Sequence, residues 1–404
     1  MRSIARILLF AFAVAAIVGM MALWKKRDRE AALAELETRY NAYVSITEDE
    51  FQIGCESSEL TDLVQLGQLV SRIGEPTLLD LTSAPNLESF VGVEQFQKLE
   101  ALVAIDCPKL TSAEGVAGHP TLADLALTDS VVFADASAIR DLPMLETVDF
   151  SGCLPLEALD LATLPSLKNA YFSRCRKLAS LDVSVVPELR QLYLDGCGSL
   201  ETITGLSTLA QLTDLDVSNA TALQNLDGVS GLKALIVLDI RNVDLESVDE
   251  IGTLPTLRIL RLGGQSNLTS LAPFAGLAKL REIHLEACPE FSSLEGLPAS
   301  VSQYAGFTHC PKLTSLAGIE VASGLEQLDV KGCTALSDVT SLSQLSQLVQ
   351  LNLVKCRQVT DISALAELEK LVIVMLGGSG VVPASVKNFE SANDEIIFDF
   401  AVSE

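Results

Sequence analysis

Nine cysteines and three histidines are the side chains of this 404-residue sequence with the widest chemical scope. Nine thiols invite a disulfide framework or a metal site. Their spacing points elsewhere. Eight of them (Cys107, Cys153, Cys175, Cys197, Cys288, Cys310, Cys333 and Cys356) fall in one column that advances in steps of 22 or 23 residues, and only Cys55 lies outside it. The other places in that column hold Ala84, Ser130, Ala220, Val243, Gln265 and Ser379. Small, mostly apolar residues interchange there, so a thiol acts as a small hydrophobe with a weak donor. Side chains in such a ladder run parallel rather than facing each other. Structural thiols are therefore expected, with bridges between neighbouring coils as the alternative. His119, His284 and His309 have no ligand partner at metal spacing. Gly377-Gly378-Ser379-Gly380 is glycine-rich, but it ends the array rather than joining a strand to a helix in the manner of a phosphate loop. Two glycosylation sequons, at Asn219 and Asn267, are short enough to arise by chance. No acid–base–nucleophile group emerges. The sequence predicts no metal, no cofactor and no enzyme.

The column belongs to a repeat. Residues 189–200 read LRQLYLDGCGSL, 325–336 read LEQLDVKGCTAL and 348–359 read LVQLNLVKCRQV. Each follows L-x-x-L-x-L-x-x-C-x-x-L, and fourteen such coils follow one another from Ala84 to Ser379. In Leu192-x-Leu194 two apolar residues flank one that points the other way, which is the period of a strand. Stacked coils place these strands side by side in one parallel sheet, about 4.8 Å apart. Ten residues before the column, proline recurs as Pro120, Pro143, Pro165, Pro187 and Pro255. It fixes the approach to the strand and prevents a long helix on the opposite side. So short a period leaves that side as turns or brief helical pieces.

This pattern resembles the leucine-rich repeat. The 22-residue spacing and phrases such as VTDISALAEL (359–368) resemble bacterial internalin-type repeats. The cysteine column, with CPKLTS at Cys107 and again at Cys310, is similar to the cysteine-containing repeat class. The chain departs from both. Internalin-type repeats usually carry Asn in the column, and cysteine-containing repeats are usually longer, with a true helix behind. The resemblance covers about residues 77–381 and implies an α/β solenoid. Its expected form is a horseshoe with a parallel concave sheet and short turns or helical pieces on the convex side. It also implies a protein that binds a partner.

The flanking segments are read from composition. Ile7 to Leu23 is an uninterrupted apolar run, with Arg2 and Arg6 before it and Trp24, Lys25, Lys26, Arg27 and Arg29 after it. With its neighbours it reaches the length of about 20 residues that spans a bilayer. It is expected to be one transmembrane helix and an uncleaved signal anchor at 1–29, with cleavage near Ala13-Val14-Ala15 as the rival. A single-pass membrane localisation follows, with the bilayer as a partner. Flanking charge and reduced thiols favour a cytoplasmic repeat domain, and the habit of lone amino-terminal anchors favours export. Residues 30–76 are expected to form a helical linker and amino-terminal cap. Within them Leu33, Leu36, Tyr40 and Tyr43 fall at helical spacing over Glu30 to Val44. Residues 382–404 are expected to be a carboxy-terminal cap in which IIFDF (396–400) forms a last strand.

Net charge is −25, so phosphate backbones are repelled and no nucleic acid is expected. With catalysis unsupported, two functions compete: a scaffold that binds a protein on its concave sheet, and a structural or adhesive spacer in an envelope. A scaffold needs a chemically distinct patch. The outward residue four before each ladder position is the place to seek it, and the middle of that column is unlike the ends. Tyr171, Tyr193, Asp216, Asp239, Arg261 and His284 occur there in succession, with Asp195, Arg241 and Glu286 two residues further along their strands. Tyr and Arg are enriched at binding hot spots. These six are the candidate partner-binding residues.

Overall fold

The structure is a computed structural model that describes residues 2–47, 50–384, 386 and 396–401, without the side chains of the first nineteen. It divides into two compact units, Met1–Ser166 and Leu167–Glu404.

The first unit begins with a helix over Arg2–Tyr40. This corrects the reading of the amino terminus. Among the described residues no helix is long and apolar enough to cross a membrane. The single-pass membrane localisation, with the bilayer as partner, is not upheld. The physical reason lies in the far half of the helix. Lys25, Lys26, Arg27, Asp28, Arg29 and Glu30 are helical and solvent-facing for the most part. Beyond them Ala32, Leu36 and Tyr40 are buried. Arg72 meets Asp28 at 2.6 Å and Arg39 meets Glu59 at 2.9 Å, tying this half to the cap. Most of the apolar run from Ile7 lies outside the described side chains.

The helix stops at Tyr40, short of the expected Val44, because Asn41 turns left-handed at φ 47°. The chain then forms an antiparallel hairpin of Ala42–Ile46 with Phe51–Cys55. Tyr43 lies flat over Gly54, where any Cβ would come within 1.9 Å of its ring, and its hydroxyl donates to Asp80 at 3.2 Å. Phe51–Cys55 pairs in parallel with Leu78–Asp80, which begins the ladder continued by Ala101–Val103, Asp124–Ala126 and Thr147–Asp149. Cys55 is thus the buried last residue of its strand, one place beyond the Gly54–Asp80 pair, and not a member of the ladder column.

In the second unit the same strand recurs at Asn169–Tyr171, Gln191–Tyr193, Asp214–Asp216, Val237–Ile240, Ile259–Gly263, Glu282–Glu286, Tyr304–Thr308, Gln327–Asp329, Gln350–Asn352 and Ile373–Met375. Each pairs in parallel with the next, in register. Ile397–Asp399 adds a last parallel strand, where IIFDF was expected to end the sheet. The opposite side carries 3-10 turns such as Leu206–Thr208 and Thr340–Gln344, and a small parallel pair, Ser180–Asp182 with Thr202–Thr204. Leucines of period two fill the core: Leu192 and Leu194, Leu260 and Leu262, and Leu351 and Leu353 are all 0% exposed.

Every coil leaves its strand through one left-handed residue, immediately before the ladder position. Its occupants run from Ser83, Asp106 and Asp129 in the first unit to His309, Gly332, Lys355 and Gly378 in the second, all with positive φ. The ladder side chain then turns under the sheet. All nine cysteines are buried. While Cys288 and Cys310 donate to Glu286 and Thr308 in their own coils, several thiols donate backward to the end of the preceding strand: Cys153 to the Leu127 carbonyl at 3.2 Å, Cys197 to Phe172 at 3.0 Å and Cys356 to Val330 at 3.1 Å. Ser130 makes the same bond to Ala104 at 3.1 Å. Burial pushes the Cys153, Cys197 and Cys356 thiols up to about 12, so they keep the proton they donate.

Candidate functional site

The six candidate residues form one unbroken row. Strand register pairs Tyr171 with Tyr193, Tyr193 with Asp216, Asp216 with Asp239, Asp239 with Arg261, and Arg261 with His284. Gly306 follows His284. The row therefore advances by about one strand spacing per residue, close to 4.8 Å.

The members differ in what they leave available. Tyr171 and Tyr193 stack with ring centroids 5.3 Å apart, and the Tyr171 hydroxyl donates to Gln191 at 2.6 Å. Asp216 is half-buried and accepts the backbone N–H of Ser218 at 2.8 Å. Burial holds its carboxyl above the usual carboxylate range, and the neighbouring Asp239 and Asp195 push the same way. Asp239 is only 2% exposed. It accepts the Arg241 backbone N–H at 3.1 Å, and the Arg241 guanidinium closes on both its oxygens, the shortest contact being 2.7 Å. Asp239 thus faces the right way but is covered, a core of the site rather than a presented group. Arg261 reaches the same carboxylate only at 4.0 Å. His284 contacts Glu282 through Nε2 at 3.2 Å. Burial lowers the pKa of His284; Glu282 opposes that shift and the charges of Arg261 and Arg241 add to it.

A general rule of the column explains the contrast. An Asp or Asn four residues before the ladder turns its carboxyl or amide oxygen onto the N–H two residues on. Asp80, Asp149, Asp216, Asp239, Asp329 and Asn352 all do so, at 2.8–3.1 Å. Such a residue serves its own turn. Arg261, His284 and Gly306 depart from the rule, and their strands run to five residues where Asp216 and Asp329 end theirs at three. In these strands pairing continues to Gly263 with Glu286 and to Glu286 with Thr308.

Sequence reading passed over Tyr304 and Gly306. Tyr304 stacks on His284 with centroids 4.3 Å apart and lies across Gly306, where a Cβ would come within 2.7 Å of its ring. The available signal was a large residue two places before a glycine on one strand face. Arg241, Arg261, His284, Glu286, Tyr304 and Thr308 surround a depression of about 290 Å³. That lies at the lower end of the usual small-molecule range of about 300–1,000 Å³, and it has room for a side chain. Among the described residues no group of three or more His, Cys, Asp or Glu is placed to hold a metal ion.

No family model matches the sequence, and neither does any curated protein. Solved structures do match its fold. An internalin from Listeria monocytogenes is 16% identical over 76% of this chain and 88% of its own, with a TM-score of 0.53. The Toll–Spätzle complex from Drosophila gives 14% identity over 78% of this chain and 49% of that one, with a TM-score of 0.59. The leucine-rich-repeat ectodomain of a plant membrane receptor kinase from Arabidopsis thaliana, in complex with Casparian strip integrity factor 2, gives 18% identity and a TM-score of 0.50. It is covered over 45% of its length by 84% of this chain. Together with the repeat, the parallel strands and the buried ladder, these likenesses define the class: the chain has the leucine-rich-repeat fold. It is similar in fold to internalins and carries a cysteine ladder.

Proposed function

We propose that this protein is a binding scaffold that takes a protein partner on the sheet face of its second unit, with Tyr171, Tyr193, Asp216, Asp239, Arg261 and His284 at the centre of the contact. The observation that carries this reading is the row itself. Two aromatic stacks, Tyr171–Tyr193 and His284–Tyr304, stand on one strand face with Asp239 and its two arginines between them. Rigid aromatic rings beside guanidinium groups are the composition of binding hot spots. Arg261 and His284 are neither Asp nor Asn, so they do not turn back onto the N–H two residues on. A spacer needs no such patch. Two of the fold neighbours were solved with protein or peptide partners, and binding rather than catalysis is the role proposed here.

The test is a double variant of the full chain, Tyr193→Ala with Arg261→Glu. It is expected to keep its melting temperature within a few degrees and to lose a partner captured by the wild type. Undiminished capture by the folded variant would move the contact off this face.

A further inference from the structure

The depression between Arg241 and Thr308 has a donor-rich lining, with Glu286 as the carboxylate at its edge. Arg241 is spent on Asp239, whose two oxygens take both its Nε and one terminal nitrogen. Arg261 stands at 4.0 Å from that carboxylate, beyond hydrogen-bonding reach, so its planar fork of donors stays open toward the depression. Across from it the Tyr304 ring is held down by Gly306 and His284. Burial pushes the Tyr304 phenol up to about 12, so it remains a donor. Thr308 supplies another hydroxyl at the edge. Neither hydroxyl has an acceptor among the described hydrogen bonds. Two guanidinium groups share one buried carboxylate at the floor, and Glu286 at the edge lies 3.9 Å from His309.

We propose that this depression receives a carboxylate side chain, Asp or Glu, carried on an extended segment of the partner protein. This rests on the sheet-face reading above and narrows it. A carboxylate fits the open fork of Arg261 in the two-point geometry that guanidinium groups favour. The depression has room for such a side chain. Tyr304 offers a second donor at a fixed place, because Gly306 keeps its ring flat.

His284 makes the contact sensitive to acid. The groups facing it are Glu282 and Glu286 on its own strand, Arg261 with Asp239 and Arg241 behind it on one side, and Tyr304 with the nearby His309 on the other. A bound carboxylate adds a negative charge beside the imidazole and raises its proton affinity. Binding is thus accompanied by proton uptake, and affinity rises as the pH falls from 7.5 to 5.5, where Asp and Glu of the ligand stay ionised.

The experiment is an array of extended hexapeptides with acetylated and amidated ends, probed with the full chain at both pH values. Acidic peptides are expected to be retained, about tenfold more weakly by Arg261→Gln and several-fold more weakly by Tyr304→Phe, which removes one oxygen. The gain on acidification is expected to vanish in His284→Gln. Retention of basic or apolar peptides, unaffected by Arg261→Gln, overturns the carboxylate while leaving the sheet face as a binding surface. Retention only when the peptide carboxyl terminus is free assigns the wrong source and overturns it too. An array that retains nothing, alongside a partner still captured through Tyr193 and Arg261, also overturns the carboxylate and spares the broader reading.

Discussion

The ladder cysteines show how much a single atom contributes at the residue scale. Cys197 fills a fully buried place and donates to the Phe172 carbonyl. Ser130 shows that a hydroxyl does the same work in the same column. Cys197→Ala loses both the volume and the donor, and is expected to cost about 1–2 kcal/mol in denaturant unfolding. Cys197→Ser keeps the donor and is expected to cost less. Cys197→Asp buries a charge without a partner and costs several-fold more than Ala. Equal melts for all three would mean that the column is not buried. A second buried group titrates. His119 is 3% exposed, with Nε2 at 3.1 Å from the Phe96 carbonyl and no partner for Nδ1. Burial lowers its pKa. The folded state therefore binds the proton less readily than the unfolded chain, whose imidazole titrates near 6.5. Stability is full above that value and falls as the pH drops through and below it. Melts taken from pH 7 to pH 5 are expected to fall less steeply for His119→Gln than for the wild type.

At the scale of the element, the left-handed residue before each ladder position sets the geometry of the coil. Glycine adopts it at no steric cost, while other residues pay about 1–2 kcal/mol. Ala287 and Lys355 sit there at φ 53° and 64° with no side-chain bond that requires them. Lys355→Gly and Ala287→Gly are expected to change stability little or raise it by up to about 1 kcal/mol. Gly332→Ala is expected to lower it by roughly 1–3 kcal/mol, because φ is 77° and the new Cβ would come within 2.6 Å of the His309 ring. Chemical denaturation of the three variants separates the two directions. Much of this element was legible in advance. The period, the inward leucines, the ladder and the outward column follow from residue spacing alone. The left-handed turn was not read, because Ser, Asp, Arg, Asn, His and Lys share its place with Gly and hide the signal. The hairpin at Ala42–Cys55 was missed for a related reason: Tyr40 and Tyr43 fit a helical period, and one left-handed Asn ends the helix between them. The site was half legible. Alternation shows which residues face outward. It does not show that Asp239 is covered by Arg241, or that Tyr304 uses the space left by Gly306.

At the scale of the whole molecule, the proposed contact sets a local charge against a global one. The chain carries −25, while Arg241 and Arg261 stand together at the floor of the depression around the Asp239 carboxylate. An acidic peptide must therefore approach against a repulsive field before it meets Arg261. The two fields have different ranges. The long-range field acts over a Debye length, about 30 Å at 0.01 M salt and 10 Å at 0.1 M. The contact with the guanidinium fork acts within hydrogen-bonding distance and is partly shielded from salt by its surroundings. Long-range charge governs the rate of association, and close contacts govern dissociation. Raising the salt from 0.01 M to 0.15 M is expected to speed association of an acidic peptide severalfold, with a smaller effect on its dissociation. Most oppositely charged pairs behave in the reverse sense. Stopped-flow fluorescence with a labelled acidic hexapeptide measures both rates, and Arg261→Gln is expected to raise the dissociation rate while leaving the salt dependence of association in place. An association rate that falls with salt would mean that the arginines attract the acidic peptide at long range more strongly than the global charge repels it.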